Sequence, residues 1–242
     1  MMSDLDDLFT QLLKQSGFDA NDFALKRTHQ TFQLTKWNLN YGEALNLQKV
    51  CLGFVRENPE IKIFIFCNHP PVYTLGRGLQ KQKGGQPKEG LVEFQDNDEN
   101  RLSFPLYKIK RGGGLTFHHP GQFIFYPIIN LNKSDWNLNK HFHWLLGVIK
   151  NSLNSYYQTD KFTYDLCTAG VWREGRKYAS VGVGVERFIT YHGVALNIMP
   201  TNAMKKDLEH LHPCGLEFST YAYLEKEFNN KLVDFLKDSL LE

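Results

Sequence analysis

The stretch Arg111–Leu131, RGGGLTFHHPGQFIFYPIINL, constrains this chain more than any other part of it. Three consecutive glycines leave the backbone without a Cβ, so a ligand or another strand can come close. Pro120-Gly121 calls for a sharp turn. QFIFYPIINL then runs apolar, aromatic and β-branched, the pattern of a mostly buried strand. Bare backbone set beside buried strands suits the approach of another molecule. A flexible glycine loop is the plainer alternative, and Lys177 and Cys214, further along, bear on the choice.

With 242 residues, 42% of them hydrophobic, the chain suffices for one large or two small domains, and 18 Phe and 11 Tyr give the core an aromatic character. A formal charge of +2 offers no basis for a nucleic-acid surface. The four cysteines show no CxxC spacing and follow no signal peptide, so they read as reduced thiols of a cytoplasmic protein. No run approaches the ~20 apolar residues of a membrane span. Asp4, Asp6 and Asp7, with no arginine before Arg27, are unlike a mitochondrial presequence.

Periodicity predicts a first helix, capped by Ser3, with Leu5, Leu8, Phe9, Leu12 and Leu13 inward and an end at Gly17. Residues 18–30 read as a linker. A second helix is expected over about Asn40–Arg56, its inner side marked by Tyr41, Ala44, Leu45, Gln48, Cys51, Leu52 and Val55. IKIFIF (61–66) is a strand, and HPPVYTLGRG an ordered loop feeding another. Residues 80–90 read as a mobile loop and 95–101 as a polar interruption. FPLYKIK, as a strand, turns Arg111 the same way as Tyr107 and Ile109, toward a pocket. Helical spacing returns over 138–157. AGVWR, KYASVGVGV and RFITYHGVALNI are strands, the last two joined at Glu186-Arg187. A short helix about 203–210 and a last helix about 222–241 complete the chain. Strands and helices mix without strict βαβ alternation, so the class is α+β.

Nine histidines invite a metal, but His118-His119 point apart in an extended chain, His141 and His143 diverge on a helix, and no HExxH appears. No metal site is expected. Gly112–Gly114 lacks the ending of a phosphate loop, and Gly182-Val-Gly184 lies within a strand. Nucleophilic catalysis is left. In Pro213-Cys214-Gly215 the flanking residues fix the backbone and leave room at the sulfur, although most free cysteines are buried structural thiols. A lysine can activate such a thiol by favouring the thiolate. Lys177 shares a strand face with Ala179, Val181 and Val183, where a charge is costly without a partner. Nothing in the spacing brings residues 177 and 214 together.

Five ordered segments supply what spacing does not. RGGGLTFHHPGQFIFYPIINL resembles the R-G-G-x-x-T-Y/F-H-G-P-G-Q stretch of the octanoyl-acyl carrier protein:protein N-octanoyltransferases, also called lipoyl(octanoyl) transferases. HPPVYTLGR (69–77), AGVWREGRKYASVG (169–182), HGVALNI (192–198) and PCG (213–215) follow in the family's order, and the resemblance covers roughly residues 30–220. It implies a biotin/lipoate protein ligase-like fold, a mixed β-sheet with packed helices. It also implies a catalytic domain over 30–242 preceded by an extension, 1–29, of no assigned role.

The resemblance further implies a two-stage acyl transfer without a cofactor. Cys214 takes an octanoyl group from octanoyl-acyl carrier protein as a thioester, and Lys177 lowers its pKa and shuttles protons. A lysine then accepts the group on lipoyl domains of 2-oxoacid dehydrogenases or the glycine cleavage H protein. Arg111, Gly112, Gly113, Gly114, Leu115, Thr116, Phe117 and His118, with Ser180, Val181, Gly182, Gly193, Val194 and Ala195, align with the acyl-binding walls. A monomer is expected, with Lys81, Lys83, Lys88, Lys108 and Lys110 as a basic rim for an acidic carrier. His119 stands where the family has glycine, and Ala169 where it usually has proline. The alternatives are an ATP-dependent lipoate or biotin-type ligase and a non-catalytic binder of lipoyl domains or acyl carrier protein.

Overall fold

Phe9 and Leu13 stand four residues apart, so a helix sets them on one face. In the computed structural model, which describes residues 2–78, 94–133 and 136–241, helix α1 (Met2–Gln15) buries both completely. The helix begins at Met2, so Ser3 falls within its span and not ahead of it, and Leu8 is 49% exposed, off the inner face. The expected linker is ordered as well. A 3-10 turn (Ala20–Asp22) leads into β1 (Ala24–Thr28), which pairs antiparallel with β2 (Thr31–Lys36). ALKRT holds one large apolar residue, Leu25, and TFQLTK only two, Phe32 and Leu34, too short an apolar signal to mark either strand in the sequence.

Asn40 caps α2 (Tyr41–Glu57) by accepting from the Gly42 N–H at 2.9 Å. Tyr41, Ala44, Gln48, Cys51 and Val55 are buried as the spacing predicts, and Leu47 and Phe54 join them where Leu45 and Leu52 were expected. The Phe9 ring sits 4.6 Å from Phe32 and 4.8 Å from Phe54 between centroids, so α1 is a packed part of the core.

The chain continues through β3 (Lys62–Cys67), β4 (Val72–Gly78) and a 3-10 turn (Asp96–Arg101). The expected mobile loop at 80–90 lies outside the described residues. β5 (Leu106–Lys108) is shorter than FPLYKIK suggests. Then come β6 (Gly113–His118), β7 (Gln122–Ile128), α3 (Leu138–Tyr156), the unanticipated β8 (Thr163–Asp165) and β9 (Gly170–Arg173). β10 (Arg176–Glu186) and β11 (Ile189–Asn197) form a hairpin that turns at Arg187-Phe188, one residue later than expected. Both turn residues take positive φ, 49° and 65°, as a two-residue type I′ turn demands. After α4 (Lys205–Leu208), the last helix, α5 (Asn230–Ser239), fills only the second half of the span expected for it.

Among the described residues the strands form two sheets, β1-β2-β3-β7-β11-β10-β9-β8 and β5-β4-β6. The β2–β3 and β4–β5 pairs are parallel and the other pairs antiparallel, so the expected α+β mixed sheet is what forms. β7 is buried at every position between β3 and β11. Leu145, Leu146 and Ile149 of α3 pack with Leu232 and Leu236 of α5 in one core cluster; α1 and α2 make another. The small sheet packs Leu115 and Phe117 with Met204 and Leu208. Asp207 locks this corner, accepting from the Tyr73 hydroxyl at 3.0 Å and from the Ser103 N–H and hydroxyl at 2.7 Å. No helix among the described residues is long and apolar enough to cross a membrane. The turn at His119-Pro120-Gly121 carries the chain from the small sheet into the large one, so the sheets meet along the glycine-rich stretch.

Candidate active site

Where the sheets meet, a cleft of about 600 Å³ opens, within the usual range for small-molecule sites. One cause is local. The β7–β11 ladder runs only from Gln122–Asn197 to Phe125–Val194. Beyond it Pro127 has no N–H to offer, and His192 turns to a φ of 58°. Tyr126, His192, Gly193 and Val194, at this break, line the cleft. Gly112 and Gly113 line it from the small-sheet side; Gly113 has a φ of 85°, a conformation in which a side chain is strained.

Cys214 opens onto the same cleft, partly exposed, in a 3-10 turn of Pro213–Gly215. Its φ of 50° is left-handed, which costs a residue with a Cβ about 1–2 kcal/mol. Backbone outliers of this kind collect at functional sites. Burial pushes the thiol pKa up, but the Lys177 ammonium, then the Arg111 guanidinium and hydrogen bonds with Thr116 and Tyr221, outweigh it and hold the thiol below its ordinary value. The Thr116 hydroxyl lies 3.5 Å from the sulfur. Burial pushes the thiols of Cys51 and Cys67 up with no such opposition. Of these three thiols, Cys214 is the one whose surroundings favour the thiolate.

Lys177 is completely buried, on the apolar strand face the alternation assigned to it. Burial lowers its pKa from the ordinary value, against the opposing pull of Cys214 and Asp165. Its Nζ donates to the Thr168 carbonyl at 2.7 Å, and its stem passes Gly170 so closely that any Cβ there would collide with it. The Asp165 carboxylate accepts from the N–H groups of Cys167 and Thr168 and from the Thr168 hydroxyl, fixing the loop that presents this carbonyl. The two residues that spacing left apart are joined through Tyr221: Lys177 pairs with it across a parallel bridge, and its hydroxyl donates to the Pro213 carbonyl at 2.6 Å.

The cleft floor is a buried polar network. Arg111, 6% exposed, donates to the Thr74 carbonyl and hydroxyl at 3.0 and 2.8 Å; it is inward as expected, but from the bend after β5 and not from a strand position. His118 donates from Nδ1 to Gln122 Oε1 at 3.1 Å, which leaves Nε2 to accept from Thr74. His69 donates from Nδ1 to the Leu39 carbonyl at 2.7 Å and accepts at Nε2 from Tyr126. Burial, above all, holds His69, His118 and His192 below the ordinary 6.5, His69 at about 4 and His192 at about 3. His119 and His141 are likewise held at about 4 by burial, and both His141 ring nitrogens lack a partner among the described residues.

These buried imidazoles make stability depend on pH with a definite sign. Between about pH 4 and 6.5 the unfolded chain binds protons that the buried imidazoles refuse. Stability is therefore full above 6.5 and falls as pH drops, by about 1.4 kcal/mol per pH unit for each such histidine. Denaturant midpoints measured from pH 7 to 5 should fall steeply, and His141→Leu should remove about one histidine's share of the slope. An unchanged slope would contradict a neutral buried His141.

Of the residues aligned with the acyl-binding walls, Arg111, Gly112, Gly113, Thr116, His118, Ser180, Val181, Gly182, Gly193, Val194 and Ala195 line the cleft. Leu115 and Phe117 do not. Strand alternation sends them to the opposite face of β6, into the small-sheet core. Gly114, just ahead of them in β6, is buried off the wall. His119 is 1% exposed, stacked on Phe117 with 5.9 Å between centroids, and does not enter the cleft. Ala169 does, with a φ of 46° that proline cannot adopt. Sequence reasoning missed Thr168, Asp165 and Tyr221, and it missed Tyr41, Phe142, Leu166 and Cys167 on the wall. Of the expected basic rim, Lys110 is exposed and Lys108 is ion-paired with Glu99 at 2.8 Å. Lys81, Lys83 and Lys88 lie outside the described residues.

Gly112 offers a clean probe of the wall, because a Cβ built there meets nothing within 4 Å. Gly112→Val should keep the parent's Tm and bind an acyl ligand more weakly, whereas Gly113→Val mixes in backbone strain. Unchanged acyl binding by a folded Gly112→Val would remove this residue from the site.

Known proteins share the sequence and the fold. A family model described as the lipoyl protein ligase A/B catalytic domain matches residues 40–237. A protein of Nostoc sp. named octanoyltransferase is 37% identical over 155 residues, 64% of this chain and 62% of the relative's length. Octanoyltransferases of Nostoc punctiforme and Bacteroides fragilis are 36% and 32% identical; the matches cover 73% and 82% of this chain and 70% and 89% of theirs. Lipoate-protein ligase A solved with ATP superposes with a TM-score of 0.58 at 13% identity, covering 87% of this chain and 81% of its own. P. falciparum LipL1 solved with lipoate gives 0.59 at 14% identity, covering 87% and 60%. On identities of this extent and a family model spanning most of its length, the chain belongs to the octanoyltransferase family and is an acyltransferase.

Proposed function

We propose that the chain transfers an octanoyl group from octanoyl-acyl carrier protein to a lysine of a lipoyl domain through a thioester on Cys214. The observation that carries this reading is the pairing of a buried lysine with a cleft-facing cysteine whose thiol is held below its ordinary pKa. The Cys214 thiolate attacks the carbonyl carbon of the donor thioester. The carbon–sulfur bond to the carrier breaks, and the departing thiolate takes a proton from the Lys177 ammonium. The acceptor lysine's amine then attacks the Cys214 thioester. An amide forms, the thiolate returns, and the proton shed by the amine restores the Lys177 ammonium. Val181, Val194, Ala195 and Phe142 give a linear alkyl chain an apolar wall.

No nucleotide enters these steps. The test is octanoyl transfer from octanoyl-acyl carrier protein to a purified lipoyl domain, read by the acceptor's mass, with and without ATP. The reading expects equal rates. Transfer of free octanoate that requires ATP, with none from the carrier, would instead favour a ligase.

A further inference from the structure

Tyr221 touches both members of the cysteine–lysine pair, yet it lies outside every segment that carried the family resemblance. Its backbone forms the parallel bridge to Lys177, and the next N–H, of Ala222, donates to the Lys177 carbonyl at 2.9 Å. Arg176 donates to the Tyr221 carbonyl at 2.8 Å. The Lys177 Nζ stands 5.9 Å from the centre of the phenol ring. At its other end the side chain, 4% exposed, donates to the Pro213 carbonyl at 2.6 Å, and the hydroxyl has both Cys214 and Ser180 as hydrogen-bonding neighbours.

A phenol carries one proton. It can serve the Pro213 carbonyl or the Cys214 sulfur, but not both at full strength, while Ser180 can donate to the phenol oxygen in either case. We propose that Tyr221 is a positioning residue of this acyl transfer: its hydroxyl donates to the Cys214 sulfur when that is a thiolate and turns back to the Pro213 carbonyl when the sulfur is acylated. The inference rests on the cysteine-thioester reading above. No proton changes hands in the switch. Acylation removes the charge that attracts the donor, and the Pro213 carbonyl one residue away recovers the bond. That bond in turn helps hold Cys214 in its left-handed turn, together with the Gly215 N–H donating to His212 at 2.8 Å. Burial keeps the phenol protonated, hence a donor, throughout the working range.

Tyr221→Phe isolates the hydroxyl. The ring keeps its places 5.5 Å from Phe117 and 6.4 Å from Phe218. The rate of Cys214 alkylation by iodoacetamide should then follow a pH profile displaced upward by about one unit, so reactivity near neutral pH falls about tenfold. The kcat of transfer should fall with it while KM for the acyl donor holds. Replacing Tyr221 by 3-fluorotyrosine preserves the packing and strengthens the donor; its profile should move downward. A fluorinated chain with the parent's profile would overturn the proposal even if Tyr221→Phe fails to fold. So would a folded Tyr221→Phe with that profile. Alkylation needs no acyl donor, so the two readings fail separately. An octanoyl adduct with an unmoved profile sinks this proposal alone, and a moved profile without any adduct sinks the transfer reading.

Discussion

Cys214→Ala should keep the fold and Tm of its parent and lose octanoyl transfer by on the order of 10⁴-fold or more, the scale on which loss of a covalent nucleophile registers. The fold survives because the side chain is partly exposed at the cleft and alanine accepts the same left-handed φ of 50° no worse than cysteine. The other cysteines set the controls. Cys51 and Cys67 are completely buried, with thiols raised by burial, so alanine there should not affect the adduct. Cys167 is the demanding control, because it is exposed on the wall of the same cleft. Cys167→Ala should leave the octanoyl adduct on Cys214. Loss of the adduct in that variant, with Cys214→Ala still active, would transfer the role.

Lys177→Met should lower transfer by about 10²–10⁴-fold, the range of a lost general acid–base partner. The Cys214 alkylation profile should shift upward, toward the ~8.5 of a free thiol. Stability should move the other way or not at all. The lysine is fully buried and burial disfavours its charge, so an apolar side chain of similar length relieves that cost, at the loss of one bond to the Thr168 carbonyl. Activity lost while Tm holds marks a residue kept for chemistry. A folded Lys177→Met with the parent's alkylation profile would show that the lysine does not activate the thiol.

The parts of this architecture written in apolar periodicity could be read directly. β7, α2 and α3 were legible because β-branched or aromatic runs and helical spacing repeat over many residues. β1 and β2 were not. β1 alternates but has no buried position, and the alternation of β2 rests on Phe32 and Leu34 alone within a buried run that also holds Gln33 and Thr35, so neither carries a strong apolar signal. The buried face of Lys177 follows from strand alternation, a local property, whereas Arg111 turns inward from the bend after β5. Their meeting with Cys214 follows from neither. It depends on the Lys177–Tyr221 bridge across more than forty residues, on the Thr168 carbonyl and on an Asp165 loop that no motif announces. Backbone carbonyls and long-range bridges leave no mark on residue type, which is why the dyad came into view only through resemblance. Leu115 and Phe117 show the reverse error: a motif aligned a whole segment with the wall, and strand alternation sends these two residues to the opposite face.

The central claim is that the octanoyl group rests on Cys214. Intact-mass analysis of the chain after incubation with octanoyl-acyl carrier protein, without acceptor or ATP, tests it most directly. The predicted result is a single octanoyl group, mapped by peptide mass to Cys214, discharged by hydroxylamine or by a lipoyl domain, and absent from Cys214→Ala. No adduct on a chain that still transfers octanoate, or an adduct on another residue with Cys214→Ala fully active, would contradict it.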